Sequence, residues 1–235
     1  MNWKQSWILL VAAALCAAVY VRISTSASAS ESAVVIPAPA LDNPKAAGPV
    51  QTAVLAGGCF WGVQAVYQHV QGVRNAVSGY SGGSKATADY ETVSDGKSGH
   101  AESVQVTFDP KEISYGEILQ IYFSVIHDPT QLNKQGPDEG TQYRSNIFYS
   151  DDSQKRIAEA YVAQLAKAKV FGGKIVTRVD ALKGFYPAEG YHQDFLINNP
   201  SNPYIAKFDI PKVQNLLKVF PSRYRVQPVT VKASK

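Results

Sequence analysis

Apolar and polar positions alternate with two different periods along this chain, and the periods mark its elements. Residues 52–56 form a short apolar run that ends at Gly57-Gly58, as a strand does on entering a turn. From residue 60 to 70 the pattern changes to a helical one, with Val63, Val66 and Val70 on one face and Trp61, Ala65 and His69 four apart. Val104, Val106 and Phe108 alternate with polar residues and predict a half-buried strand that stops at Asp109-Pro110. Ser114 followed by Glu117 is a capping box, opening a helix that carries Ile118, Leu119, Ile121, Tyr122, Val125 and Ile126. A short strand is expected at 147–149, then a helix capped by Ser150 or Asp151 and running to about residue 169. A β-branched strand at 174–182 and a helix at 188–197, cut off by Asn199-Pro200, complete the pattern.

Strands and helices alternate without a strict βαβ rhythm, so the expected class is α+β, an α/β sandwich with helices packed on one mixed sheet. Long loops at 79–101 and 127–146 contain Tyr, Asp, Glu and His among glycines, a composition suited to binding.

The ends have a different character. Lys4 precedes an apolar run of 14 residues at 7–20, followed by small residues in STSASAS. This reads as a signal peptide over 1–30, cleaved near 26–30, or as a signal anchor. Export to the periplasm or another extracytoplasmic space is the expectation. Residues 31–50 are rich in Ser, Ala and Pro and read as a flexible linker. Residues 212–235 hold six cations and no acid, and read as a solvated basic extension with a short helix at 213–220.

Charge removes one class of function. The net +4 comes from the ends, because residues 51–211 hold 14 Lys+Arg against 17 Asp+Glu, a net of −3. A mildly acidic body gives nucleic-acid binding little support. Two cysteines, Cys16 and Cys59, exclude a disulfide scaffold, and no Cys/His spacing forms a zinc ribbon.

Cys59 carries the candidate chemistry. It stands at a strand-to-helix junction, where Gly57 and Gly58 leave the approach bare and Phe60 and Trp61 can form an apolar wall. The helix N-terminus favours its thiolate, which predicts an exposed cysteine of low pKa. Three rival readings stay open on the residues alone. Cys59 with His100, His127 or His192 could form a thiol hydrolase, although no protease signature is present. His100-x-Glu102 could bind zinc, although a P-C-x-x-C partner is missing. A binding module without catalysis would keep its function in Cys59→Ser.

The segment Gly58-Cys59-Phe60-Trp61-Gly62 resembles the signature of the A-type peptide methionine sulfoxide reductases. GYSGG at 79–83, Tyr90, GHAE at 99–102, HDPT at 127–130, QGPDEGTQYRS at 135–145 and AEGYHQ at 188–193 follow in the order of that family. The resemblance covers nearly all of 51–200 and implies a ferredoxin-like core within a catalytic domain at 51–211. It implies reduction of methionine S-sulfoxide, free or within oxidised proteins and peptides, through a sulfenic acid on Cys59. It makes Glu102 the proton donor, gives the Tyr90 and Tyr143 hydroxyls hydrogen bonds to the sulfoxide oxygen, and makes Asp138 the polar residue of the same pocket. Phe60 and Trp61 become the cage for the substrate methyl group. No bound cofactor and no metal are implied, only an external thiol reductant: thioredoxin, glutaredoxin or dithiothreitol. A monomer is expected. Residues 60–235 contain no further cysteine, where many relatives carry one or two, so direct attack by the external thiol replaces an internal disulfide step.

Overall fold

The computed structural model describes residues 32–45 and 48–231; the expected leader over 1–30 lies outside them. In chain order the elements are β1 (Gln51–Ala56), α1 (Phe60–Gln68), β2 (Val73–Ser81), α2 (Tyr90–Ser94), β3 (Ala101–Phe108) and α3 (Tyr115–Ile121). The ribbon strands β4 (Lys134–Gln135) and β5 (Asp138–Glu139) follow, then β6 (Asn146–Tyr149), α4 (Asp152–Ala168), β7 (Arg178–Ala181) and β8 (Phe185–Pro187). Two helices, α5 (Phe195–Asn198) and α6 (Ile210–Val219), complete the fold.

One sheet holds the fold in the order β7-β6-β1-β3-β2-β8, antiparallel throughout except for the β6–β7 pair. The run β1-α1-β2-β3-α3-β6, with its strands in the order β6-β1-β3-β2, has the ferredoxin-like connectivity that the resemblance implied. β1 is central and covered on both faces. Ala53 and Leu55 face the main core with α1 and α3, while Val54 and Ala56 join Ala101 and Phe148 on the other face. Packing on the helical face is led by Phe60, Val63, Val66, Tyr67, Ile118 and Tyr122.

The capping box forms as expected: the Ser114 hydroxyl accepts from the Glu117 N–H at 3.1 Å, and the Glu117 carboxylate accepts from the Ser114 N–H at 2.9 Å. α3 then widens into a π-helical turn, Tyr122–Ile126. That turn brings the Tyr122 hydroxyl to donate to the Ala56 carbonyl at 2.7 Å, tying the helix to the strand that leads to Cys59. Asp151 caps α4 by accepting from the Gln154 N–H.

Four expectations change. Part of the presumed loop at 79–101 is the end of β2, a strand hidden in the pattern by Arg74, Asn75, Ser78 and Gly79. The strand expected at 174–182 pairs only over β7. The helix expected at 188–197 is broken into a 3₁₀ turn, Gly190–His192, and the four-residue α5, with Asp194 left-handed at φ 55° between them. The cause is tertiary. The Gln193 amide donates to the carbonyls of Ser78 and Ala188 and accepts from the Ser78 N–H, which holds the chain against β2.

The fourth change concerns the ends. Residues 32–45 are not a free linker but a strap along α3 and α4. Val34 exchanges hydrogen bonds with Ser124, Tyr161 donates to the Pro37 carbonyl at 2.7 Å, and Ile36 is buried. The tail is docked rather than solvated: the Arg225 N–H donates to His69, the Val229 N–H to Gln68, and Arg223 pairs with Glu117. His69 is a packing residue, stacked on the Tyr224 ring.

Candidate active site

Cys59 occupies the N-cap position of α1, reached through Gly58 in a left-handed turn at φ 93°. A Cβ on Gly58 would also run into the Gln135 side chain, so glycine is required twice over. The thiol faces inward and is 8% exposed. Burial, followed by the charges of Glu102 and Asp209, pushes its pKa well above the ordinary value; the Trp61 N–H opposes this without reversing it. The expected exposed, low-pKa cysteine is therefore corrected. Cys59 rests as a buried thiol.

Glu102 projects from β3, opposite Tyr80 in register, and is buried. Its Oε2 accepts from the Phe60 N–H, the first free donor of α1, at 2.9 Å. That bond favours the carboxylate, but burial outweighs it, with Asp138 and Asp209 adding to the effect, and the pKa is raised to about 8. Glu102 therefore carries a proton at neutral pH.

Two half-buried phenols face the same space. Tyr90 opens α2, and its N–H is anchored on the Glu189 carboxylate at 2.9 Å. Tyr143 ends the 3₁₀ turn Thr141–Tyr143. Burial raises the pKa of both, and both feel Glu102, Asp138 and Cys59. They stay protonated and able to donate. Asp138 on the β4–β5 ribbon accepts from the Tyr204 hydroxyl, and burial lifts its pKa.

Phe60 and Trp61 form the apolar side. Phe60 is fully buried, its ring 5.0 Å from His192 and 5.9 Å from Tyr80. Trp61 stacks on Phe195 at 3.8 Å and donates from Nε1 to His192 Nδ1 at 3.1 Å. The structure thus brings the six other expected site residues, Glu102, Tyr90, Tyr143, Asp138, Phe60 and Trp61, to the neighbourhood of the Cys59 thiol. It adds Tyr204, Asp209 and Lys212 from the C-terminal segment, and His192 and Glu189 beneath the aromatic wall. No local pattern in the sequence marks the first three: Tyr204 follows an Asn-Pro turn, and Lys212 is one cation of a basic stretch.

The hydrolase reading is not supported: His127 and His100 are each held at both ring nitrogens, and His192 is held at Nδ1. His127 is held between the Tyr122 carbonyl and the Ser145 hydroxyl, and burial lowers its pKa to about 3. His100 bridges the Ser84 carbonyl and the Gly83 N–H. His192 takes the Trp61 bond, and burial lowers its pKa as well.

The comparisons agree with this geometry. The family model described as peptide methionine sulfoxide reductase matches residues 51–223. Peptide methionine sulfoxide reductase MsrA 2 of Mesorhizobium japonicum is 60% identical over 187 residues, covering 80% of this chain and 96% of that protein. A protein of the same name from Synechocystis is 47% identical, covering 82% of this chain and 92% of its own. Among solved structures, reduced Mxr1 from Saccharomyces cerevisiae superposes with a TM-score of 0.59 at 32% identity, covering 69% of this chain and 92% of that one. Methionine sulfoxide reductase A of Corynebacterium diphtheriae reaches 0.57 at 30% identity, covering 73% and 89%. Matched by that family model over most of its length and 60% identical to the Mesorhizobium japonicum protein, the chain belongs to the peptide methionine sulfoxide reductase family.

Proposed function

We propose that the protein reduces the S epimer of methionine sulfoxide, within oxidised proteins and as the free amino acid, with Cys59 as nucleophile and Glu102 as proton donor. The observation that carries this reading is the protonated, buried Glu102, bonded to the Phe60 N–H next to Cys59 and acting electrostatically on the Cys59 thiol. A sulfoxide oxygen is a poor leaving group until it is protonated, and a carboxyl that keeps its proton up to about pH 8 can supply that proton.

The step balances. Cys59 Sγ attacks the sulfoxide sulfur while Glu102 gives its proton to the oxygen. As the sulfur–oxygen bond breaks, methionine leaves and the oxygen, with that proton, remains on Cys59 as a sulfenic acid. The thiol proton replaces the one lost by Glu102. Tyr90 and Tyr143 donate to the oxygen, Asp138 fixes the polar rim through Tyr204, and Phe60 and Trp61 enclose the methyl group. An external dithiol, supplied by a thioredoxin- or glutaredoxin-like protein, then attacks Cys59, and the cycle ends with a disulfide on the reductant, water and the free thiol.

A pocket with one acidic face, one apolar face and one line of attack distinguishes the two configurations at sulfur. Incubation with separated sulfoxide epimers and dithiothreitol should consume the S form only. Glu102→Gln should slow single turnover by about 10²–10⁴-fold. Comparable loss of the R epimer, or an unaltered single-turnover rate in Glu102→Gln, would overturn the proposal.

A further inference from the structure

Asp209 is fully buried, and among the described residues neither of its carboxylate oxygens has a partner at hydrogen-bond distance. It ends the π-helical turn Ile205–Asp209 that leads into α6, and it lies directly against Gly62, where a Cβ would overlap its Oδ1. Its cation is Lys212, also buried, with Nζ 3.7 Å from Oδ1. Glu102 meets the same turn of α1 two residues earlier, at the Phe60 N–H. The two carboxyls therefore flank one helical turn, with Asp138 as a third acid nearby.

Two of the three carboxyls share one cation, and the third does not feel it. Lys212 favours the ionised forms of Asp209 and Asp138, whereas the charges acting on Glu102 are those of Asp138 and Asp209. A proton shared among such groups settles where the negative charges of the others are felt and the cation is not. Cys59, Tyr80, Tyr90 and Tyr143 are the other titratable groups coupled to Glu102, and Tyr204 is coupled to Asp209.

We propose that the buried Asp209–Lys212 pair is a positioning device for the reaction: by holding a negative charge against the first turn of α1, it keeps the exchangeable proton of the carboxyl cluster on Glu102. The inference rests on the reading of Glu102 as proton donor. Asp209 touches no reacting atom and acts through Glu102. Its own pKa of about 6 lies below the value of about 8 at Glu102, so it ionises first as pH rises. Replacing a buried ion pair by apolar residues of similar volume is often neutral or stabilising, so stability alone does not account for this pair.

The test is the pH profile of single-turnover reduction of a peptide methionine S-sulfoxide by the full chain, for wild type, Asp209→Asn, Lys212→Met and Glu102→Gln. Glu102 is active when protonated, so the rate falls along an alkaline limb. Asp209→Asn removes the charge that holds the proton there and should move that limb down by about one pH unit. Lys212→Met should move it the same way, because Asp209 without its cation takes up a proton and loses its charge. Carboxyl ¹³C NMR reads Glu102 directly, its resonance identified by its loss in Glu102→Gln, and the titration midpoint should fall by the same amount. If Asp209→Asn fails to fold, Lys212→Met and its NMR midpoint carry the test. An alkaline limb and a Glu102 midpoint that stay in place, or move upward, overturn the inference. An unaltered rate in Glu102→Gln instead overturns the donor assignment itself, so the two failures are distinguishable.

Discussion

A carboxyl that is 4% exposed and has one backbone N–H as partner holds its proton more tightly in the folded chain than in the unfolded one. For Glu102 the folded pKa is about 8 against an ordinary 4.5. Between those values the native state binds more protons than the unfolded state, so this group's contribution to stability falls as pH rises through the window and levels off above it. Glu102→Gln, which resembles the protonated form at every pH, should therefore melt close to wild type near pH 4.5 and increasingly above it toward pH 8. Thermal unfolding at several pH values measures this, and a pH-independent difference would contradict it. The same competition explains Cys59. A helix N-terminus stabilises an anion by about 0.3–1 kcal/mol, less than one pH unit at 1.36 kcal/mol each. Full burial moves a pKa by up to about 3–5 pH units. Burial wins.

At the scale of elements, the strap and the broken helix show tertiary hydrogen bonds overriding local composition. Residues 32–45 have no periodicity, yet Ile36 is buried, and Gln120 and Gln164 donate to the carbonyls of Ile36 and Ala38. Ile36→Ala should cost about 2–3 kcal/mol, at the low end of buried aliphatic truncations. A solvated linker would show less than about 0.5 kcal/mol. Urea denaturation decides between them. Gln193 acts in the opposite sense: its side-chain bonds to β2 stop a helix that the apolar spacing would otherwise continue, and this places His192 against Phe60 and Trp61.

At the scale of the molecule, the thiol count sets the outcome of one turnover. Cys59 has no cysteine after it, so its sulfenic acid meets no resolving sulfur in residues 60–235. Without reductant the protein should consume one equivalent of sulfoxide and stop, gain about 16 Da in intact mass, and be labelled by dimedone at Cys59. More than one equivalent consumed, or an intramolecular disulfide, would refute this. We propose that the chain is exported, and the same intact-mass measurement on protein from cells reads the start of the mature chain. A start near residues 27–31 is expected; retention of Met1 would refute cleavage.

Cys59, Phe60 and Trp61 stand out in the sequence because they are contiguous and lie between a strand signal and a helix signal, whereas Glu102, Tyr90, Tyr143 and Asp138 are singled out only by the family resemblance of the blocks that carry them. The capping box at Ser114 and the cap at Asp151 are local as well, and both form where the residues place them. What required the tertiary structure is everything that depends on distant chain meeting. Asp209 and Lys212 reach α1 from some 150 residues away, and no periodicity records that approach. The ionisation of the site also lies beyond the sequence, because a pKa answers to solvent exclusion and to the nearest charges, and both come into being only when α1, β3, the β4–β5 ribbon and α6 close around one thiol.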